Sequence, residues 1–354
     1  MRFCKENMEN NVNIYKSNEY LAEIKKVSLE SIFNDFKDKN ILLTGGTGLI
    51  LSYFVDVLLT SDFNGKLFLV TRSLSRAKER FSKFCKDKRL IFIEGELDGF
   101  NAPNERIDYI IGGASKCDPY SYANYPTSII LDNIEGTKYL LNIAKDKKCK
   151  FLYISSDEVY GITNNLILNE SDLCTYNVRA QRSCYNLAKA TCENLCLAYA
   201  GEYGVKFNAI RLSRIFGPTV KLTDTKAMTQ FINKALNKED IVLKSKGEQI
   251  FNYQYVADTI RGIAYVLLKG KDNEVYNCTN NEEHSLKDLA EYIASLANKK
   301  VVFDLNDDFN GKGYSVAKNA IMNISKLEGL GFENKFKVLD SLKETLQILN
   351  EIYK

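Results

Sequence analysis

Within the polar stretch 1–38, apolar residues Leu21, Ile24, Leu29, Ile32, Phe33 and Phe36 recur at near-helical spacing. That spacing predicts an amphipathic extension lying on the main body of the protein. From residue 40 the pattern changes. Short apolar runs at 41–43, 67–70, 90–93, 109–111, 151–154 and 207–211 alternate with longer segments of helical period, among them 128–144 and 185–203. Runs that are apolar throughout suit strands buried on both faces, and their alternation with helices predicts βαβ units on a parallel sheet. The expected fold class is α/β, a doubly wound parallel sheet with a smaller C-terminal α/β lobe. Beyond Pro218 the signals become irregular and end in a helical pattern at 339–349. The chain accordingly divides into an N-terminal helical extension (1–38), a first α/β domain (39–218, with a return segment near 247–268) and a smaller lobe (219–354).

Composition narrows the chemistry. The chain has 354 residues and a formal charge of +3, too small an excess to point to nucleic acid or a membrane surface. The longest apolar window, 41–59, is broken by the glycines of 44–48 and by Asp56, so it reads as strand, turn and helix rather than as a membrane span. The opening residues MRFCKENMENN lack the apolar core of a secretory signal. Nine cysteines, an odd number without a C-x-x-C pair, read as reduced thiols in the cytoplasm. Cys192 and Cys196, one helical turn apart, are expected in the core, and no metal site is expected. The single histidine, His284, is expected on the surface before a helix capped by Ser285. Histidine-dependent hydrolysis is thereby excluded, and acid–base work falls to carboxylates, tyrosine or lysine.

Two segments carry that chemistry. The run Thr44-Gly45-Gly46-Thr47-Gly48-Leu49-Ile50 follows the first strand and opens an apolar helix, the arrangement that lets backbone N–H groups hold a pyrophosphate. This predicts a Rossmann-type dinucleotide site. Leu51 replaces the third glycine of the usual fingerprint, so a slightly displaced helix is expected. After the second strand stand Arg72 and Ser73 instead of a carboxylate for the ribose 2′-hydroxyl, which favours NADP(H) over NAD(H). Further on, the strand at 151–154 runs into Ser155-Ser156-Asp157-Glu158-Val159-Tyr160-Gly161. Tyr185 and Lys189 lie four apart on one helix face, where a nearby ammonium is expected to lower the phenol pKa.

With these motifs in this order, the chain resembles the extended short-chain dehydrogenase/reductase family, the NAD-dependent epimerase/dehydratase group that modifies nucleotide-activated sugars. The resemblance extends through Ile110-Ile111-Gly112-Gly113-Ala114-Ser115, Asn133-Ile134-Glu135-Gly136-Thr137, Arg211-Leu212-Ser213-Arg214-Ile215-Phe216-Gly217-Pro218 and Tyr253-Gln254-Tyr255-Val256-Ala257-Asp258. It implies that Tyr185 exchanges a proton with the sugar, that Lys189 holds the nicotinamide ribose and that Ser156 bonds the reacting oxygen. It further implies Glu96 at the adenine, Ala114 and Asn133 in the cofactor site, and Arg182, Arg214 and Gln249 on the side of a nucleotide diphosphate sugar. The helices at 128–144 and 185–203 would form a homodimer interface.

The departures bear on the reaction. Asp157-Glu158 matches the acid–base pair of nucleotide-sugar 4,6-dehydratases, whereas Arg182-Ser183-Cys184-Tyr185 looks more like nucleotide-glucuronate decarboxylases, and Asp157 could equally be a strand-end cap. Arg214 stands where an asparagine is usual, and Phe251 where many relatives carry a phosphate-binding arginine. Because an NADP(H) site suggests net reduction, the leading expectation is an NADPH-dependent reductase of a nucleotide-linked keto sugar or ketose, serving surface polysaccharide synthesis. The alternative is a 4,6-dehydratase, epimerase or decarboxylase that recycles its NAD(P). A non-catalytic dinucleotide sensor is the third reading.

Overall fold

The computed structural model describes residues 13–163, 165–305 and 319–353; the first part of the predicted extension, with Cys4, lies outside them. Each predicted strand forms, usually one residue longer. They are β1 (Ile41–Thr44), β2 (Leu67–Thr71), β3 (Leu90–Glu94), β4 (Tyr109–Gly112) and β5 (Lys150–Ser156), then, after a two-residue β6 (Ile167–Leu168), β7 (Phe207–Leu212). The chain continues through β8 (Arg214–Phe216), β9 (Ile241–Leu243), β10 (Ile250–Tyr255), β11 (Glu274–Cys278), β12 (Glu283–Ser285), β13 (Val301–Phe303) and β14 (Asn319–Met322).

Seven strands form one sheet in the order β3-β2-β1-β4-β5-β7-β11. All its pairs are parallel, with Ile41 opposite both Leu67 and Tyr109. The order reverses between β1 and β4, and the crevice at the carboxyl ends of those strands is where α/β sheets bind ligands. The edge strand β11 escapes the sequence reading because Glu274 and Asn277 interrupt its apolar run. A second sheet is built around β10, which pairs in parallel with β8 and β14 and antiparallel with β12. Its members are two to six residues long, too short for periodicity to resolve.

The helices that matter here are α1 (Asn18–Ser28), α2 (Leu49–Thr60), α3 (Leu74–Arg80), α4 (Pro126–Lys147), α5 (Cys184–Tyr203), α6 (Ala227–Leu236), α7 (Val256–Lys269), α8 (Leu286–Leu296) and α9 (Val338–Ile352). Pro126 opens α4, where its missing N–H costs nothing, and Gly204 ends α5 at φ +67. Helices α4 and α5 pack on each other, while α1 and α7 pack on α2. Cys192 and Cys196 are fully buried, as expected. His284 is a correction: it lies within β12, only 16% exposed and paired with Glu282 at 3.2 Å, because the strand extends to the helix cap.

Much of the N-terminal extension behaves as an integral layer. Ile24, Ile32, Phe33 and Phe36 are buried, whereas Leu29, at the end of α1, turns out to solvent at 69% exposure. The contact is polar as well as apolar. Asp56, fully buried within α2, accepts hydrogen bonds from the hydroxyls of Tyr15 and Tyr20, each at 2.5 Å, and is paired with Arg80 at 2.7 Å. One turn further along α1, Glu23 accepts from Tyr53 at 2.6 Å and from Tyr255 at 2.8 Å.

Burial, and next the neighbouring Glu344, push the Glu23 carboxyl up to about 8. The folded protein therefore binds this proton more tightly than the unfolded chain, and stability falls as pH rises through that value. Thermal melts should show a declining midpoint between about pH 5 and 8. Glu23→Gln, which keeps an acceptor for both tyrosines, is expected to flatten the decline; an unchanged slope would assign it to other groups.

Candidate active site

The turn after β1 is held by its own strand end. Thr44 is buried, and its Oγ1 accepts from the N–H groups of Gly113 at 3.2 Å and Ala114 at 3.4 Å, tying β1 to β4. Gly45 has φ +77, and a Cβ there would lie 2.7 Å from the backbone of Gly113 and Ala114. Gly48 caps α2 without a side-chain hydrogen bond, so the first N–H groups of a twelve-residue helix are left for an anion. Leu51 is accommodated by an exchange: a Cβ on Gly113 would meet Leu51 Cδ1 at 2.3 Å. The room that a glycine at 51 would provide on the helix is provided across the crevice instead.

A cavity of about 1680 Å³ runs from this turn over the carboxyl ends of the strands. Thr44, Gly45, Thr47, Gly48, Leu49, Ile50, Arg72, Ser73, Glu96 and Ala114, the residues assigned to a dinucleotide from the sequence, line it. Ser73 caps α3, its Oγ accepting from the Arg76 N–H. Asn133 is a correction. It is buried on α4, its amide donates to the Ile129 carbonyl one turn back, and it lies outside the lining. Its motif serves helix packing: the Asn133 carbonyl accepts from Cys192 on α5. Of the lining cations that the sequence reading missed, Arg76 and Lys221 stand near Arg72. Neither forms a motif, and Lys221 is brought in from the loop after β8.

The same cavity holds Ser156, Asp157, Glu158, Arg182, Tyr185, Lys189, Arg214 and Gln249. Strand β5 ends at Ser156, whose hydroxyl donates to Asp157 at 3.0 Å and accepts from the Glu158 N–H at 3.3 Å. Each carboxylate has its own arginine: Arg182 reaches Glu158 at 3.1 Å and Arg214 reaches Asp157 at 2.8 Å. Asn186 also donates to Glu158. Arg182 lies over the Tyr122 ring, and its buried Nε has no partner among the described residues. The buried Oε1 of Gln249 also lacks one.

Tyr185 stacks on Tyr122, with ring centroids 4.7 Å apart and planes 27° apart. Lys189 is 3% exposed, and its ammonium donates to the Ile154 carbonyl at 2.8 Å. The expected lowering of the tyrosine pKa is reversed here. Burial first, then Cys117 and Glu158, push the Tyr185 hydroxyl well above its ordinary range, and the Ser156 hydroxyl only partly offsets them. Burial pushes the Lys189 ammonium down. For Tyr185 desolvation outweighs the attraction of a cation whose nitrogen lies 5.8 Å from its ring centroid. A phenol in this state holds its proton at neutral pH, so it serves as a base only after giving that proton up, which a cation beside it would favour.

Residues 41–279 match the family model described as the NAD dependent epimerase/dehydratase family. The chain is 28% identical over 318 residues to UDP-glucuronic acid decarboxylase 3 of Arabidopsis thaliana, covering 89% of each. It is 29% identical over 279 residues to dTDP-D-glucose 4,6-dehydratase of Dictyostelium discoideum, covering 75% of this chain and 63% of that protein. Among solved structures, a UDP-N-acetylglucosamine 4-epimerase from Methanobrevibacter ruminantium M1 superposes with a TM-score of 0.76 at 24% identity, over 88% of this chain and 98% of the other. Among the described residues, no helix is long and apolar enough to cross a membrane.

Proposed function

This chain belongs to the NAD dependent epimerase/dehydratase family, and we propose that it transforms the sugar of a nucleoside diphosphate sugar with a recycled nicotinamide dinucleotide, as a dehydratase. The family uses such a dinucleotide, and the glycine-only turn, the uncapped start of α2 and the size of the cavity suit one. When bound, it supplies reversible hydride transfer at a ring carbon.

The observation that carries the reading is the pair of carboxylates, Asp157 and Glu158, set beside Ser156 and Tyr185 at the end of β5. Simple carbonyl reduction needs a proton donor and a steadying hydroxyl, which Tyr185 and Ser156 supply, and leaves both carboxylates without a task. The leading expectation of a net reductase therefore gives way to its alternative, in keeping with relatives named for decarboxylation and dehydration. In our reading Ser156 hydrogen-bonds the reacting oxygen, Tyr185 takes the proton of that oxygen as its carbon becomes a ketone, and Lys189 orients the cofactor ribose. Glu158 removes the proton next to the ketone, Asp157 protonates the departing hydroxyl, which leaves as water, and Glu158 returns its proton to the same carbon as the sugar takes back the hydride, so that only water is lost. Gln249 and Arg182 face the sugar. The elements of 219–354 supply the substrate side.

A second reading is decarboxylation, favoured by the relatives so named and by the Arg182–Glu158 pair, which would face a sugar carboxylate. The deciding experiment incubates the NAD(P)-loaded protein with UDP-glucose, dTDP-glucose and UDP-glucuronic acid and weighs the products. Loss of one water supports dehydration, loss of carbon dioxide supports decarboxylation, and unchanged mass with an altered sugar supports epimerisation. A product heavier by two hydrogens, with cofactor consumed one for one, would overturn the proposal in favour of the reductase.

For the cofactor we propose NADP(H). Arg72, Arg76 and Lys221 stand together on the cavity wall, and no ion-pair partner is found for any of them among the described residues. Desolvation first, then Arg76 and Arg72, hold the Lys221 ammonium below its ordinary value, as expected where cations gather for a dianion. Charge-assisted bonds to a phosphate contribute about 1.5–3 kcal/mol. Arg72→Ala is therefore expected to weaken NADPH roughly ten- to a hundredfold relative to NADH in a binding titration. An unchanged ratio would return the site to NAD.

We also propose a homodimer across α4 and α5, whose outer faces carry the exposed Leu131 and Leu197; light scattering tests it.

A further inference from the structure

Asp157 and Arg214 form a pair with unequal commitments. The Asp157 side chain is 7% exposed, and its carboxylate is held by the Ser156 hydroxyl at 3.0 Å and by Arg214 at 2.8 Å. Arg214, at 25% exposure, makes only that hydrogen bond among the described residues. Arg214 lines the cavity, and its guanidinium carbon lies 3.4 Å from the Phe251 ring centroid. Stacking fixes the plane of the fork while leaving its edges free, the presentation that suits bidentate capture of a phosphate.

The groups around Asp157 fix what happens when the arginine leaves. Glu158 stands next in the chain, Tyr185 approaches from α5 and Tyr253 from β10, and none of them is a cation. Burial already holds the Asp157 carboxyl above its ordinary range; Arg214 is the largest influence pulling it down, and Glu158 adds to the rise. A carboxylate left in this place without its arginine takes up a proton, because an unpaired buried charge is costlier than a neutral acid.

We propose that Arg214 is a positioning residue that keeps Asp157 ionised until the substrate diphosphate draws its guanidinium away, so that substrate binding itself arms Asp157 as the proton donor. The inference rests on the acid–base reading of Asp157 given above. The balance is simple: solvent supplies one proton on binding, Asp157 passes it to the hydroxyl oxygen as the carbon–oxygen bond breaks, water leaves, and the carboxylate is ready for Arg214 again. An enzyme built in this way keeps its acid disarmed in the absence of substrate.

The test is calorimetric titration of the NADP-loaded protein with UDP-glucose and dTDP-glucose, in buffers of different ionisation heat near neutral pH. The wild type is expected to take up a proton on binding. Asp157→Asn and Arg214→Gln should both lose the uptake, and Arg214→Gln should also bind about tenfold more weakly or worse. Arg214→Lys retains a mobile cation and should restore uptake, which keeps the test decisive if the glutamine variant folds poorly. Equal uptake in Arg214→Gln and wild type, or measurable binding to the wild type without uptake, would overturn the inference. Uptake without loss of water from the sugar would overturn the dehydratase reading and leave the role of Arg214 standing. Failure of both nucleotide sugars to bind would overturn both.

Discussion

Tyr185→Phe is expected to lower turnover by about 10²- to 10⁴-fold while dinucleotide binding is retained. The substitution removes one oxygen and nothing else: the ring stays stacked on Tyr122, and the surrounding cluster of Ile129 and Cys184 keeps its packing. Without the hydroxyl the reacting sugar oxygen has no group to take its proton, so the loss falls on the step that forms the ketone. Steady-state rates with a nucleotide sugar, alongside a fluorescence titration of the cofactor, separate the two effects. Retention of more than about a tenth of the wild-type rate, where removing a general base costs at least about 10²-fold, would remove Tyr185 from the mechanism.

The largest effect on stability is expected at Asp56. Replacing one partner of a buried ion pair costs about 3–5 kcal/mol, because the other charge stays behind unpaired. Asp56→Ala leaves the Arg80 guanidinium without its carboxylate and the Tyr15 and Tyr20 hydroxyls without their acceptor. Denaturant midpoints should fall accordingly, and Asp56→Asn, which keeps one acceptor, should fall less. A change under about 1 kcal/mol, well below that range, would mean that the N-terminal layer contributes little to the folded state. A similar loss from Tyr20→Phe alone would place the cost in the hydroxyl contacts instead. Because Arg80 closes α3 and Ile14 lines the cavity wall, the damage should extend to dinucleotide affinity.

The sequence and the structure agree where the physics is local. Strands β1, β2, β4, β5 and β7 are short apolar runs buried on both faces and β3 is a half-buried apolar run at the sheet edge, so composition alone marks them, and the glycine turn is dictated by a backbone that must curl at φ +77. Agreement fails where a residue's role depends on what folds beside it. Asn133 sits in a motif that resembles a cofactor contact, yet only the approach of α5 decides that its carbonyl serves Cys192. Arg76 and Lys221 belong to different segments, and no spacing relates them before the loop after β8 folds over. The lowered pKa expected of Tyr185 came from counting a charge four residues away without the cost of burying the phenol. Asp157 and Arg214 are 57 residues apart, and no spacing in the sequence relates them.

The exchange between Leu51 and Gly113 bears on how such chains are recognised. Leucine on the helix and glycine on the facing strand end form one unit, since a side chain at 113 would collide with Leu51 Cδ1. The two positions should therefore be coupled: Gly113→Ala is expected to displace Leu51 and to be milder beside Leu51→Gly, as a double-mutant cycle on stability would show. A search pattern that insists on glycine at the helix position discards chains like this one, whereas a pattern that scores the two positions jointly retains them.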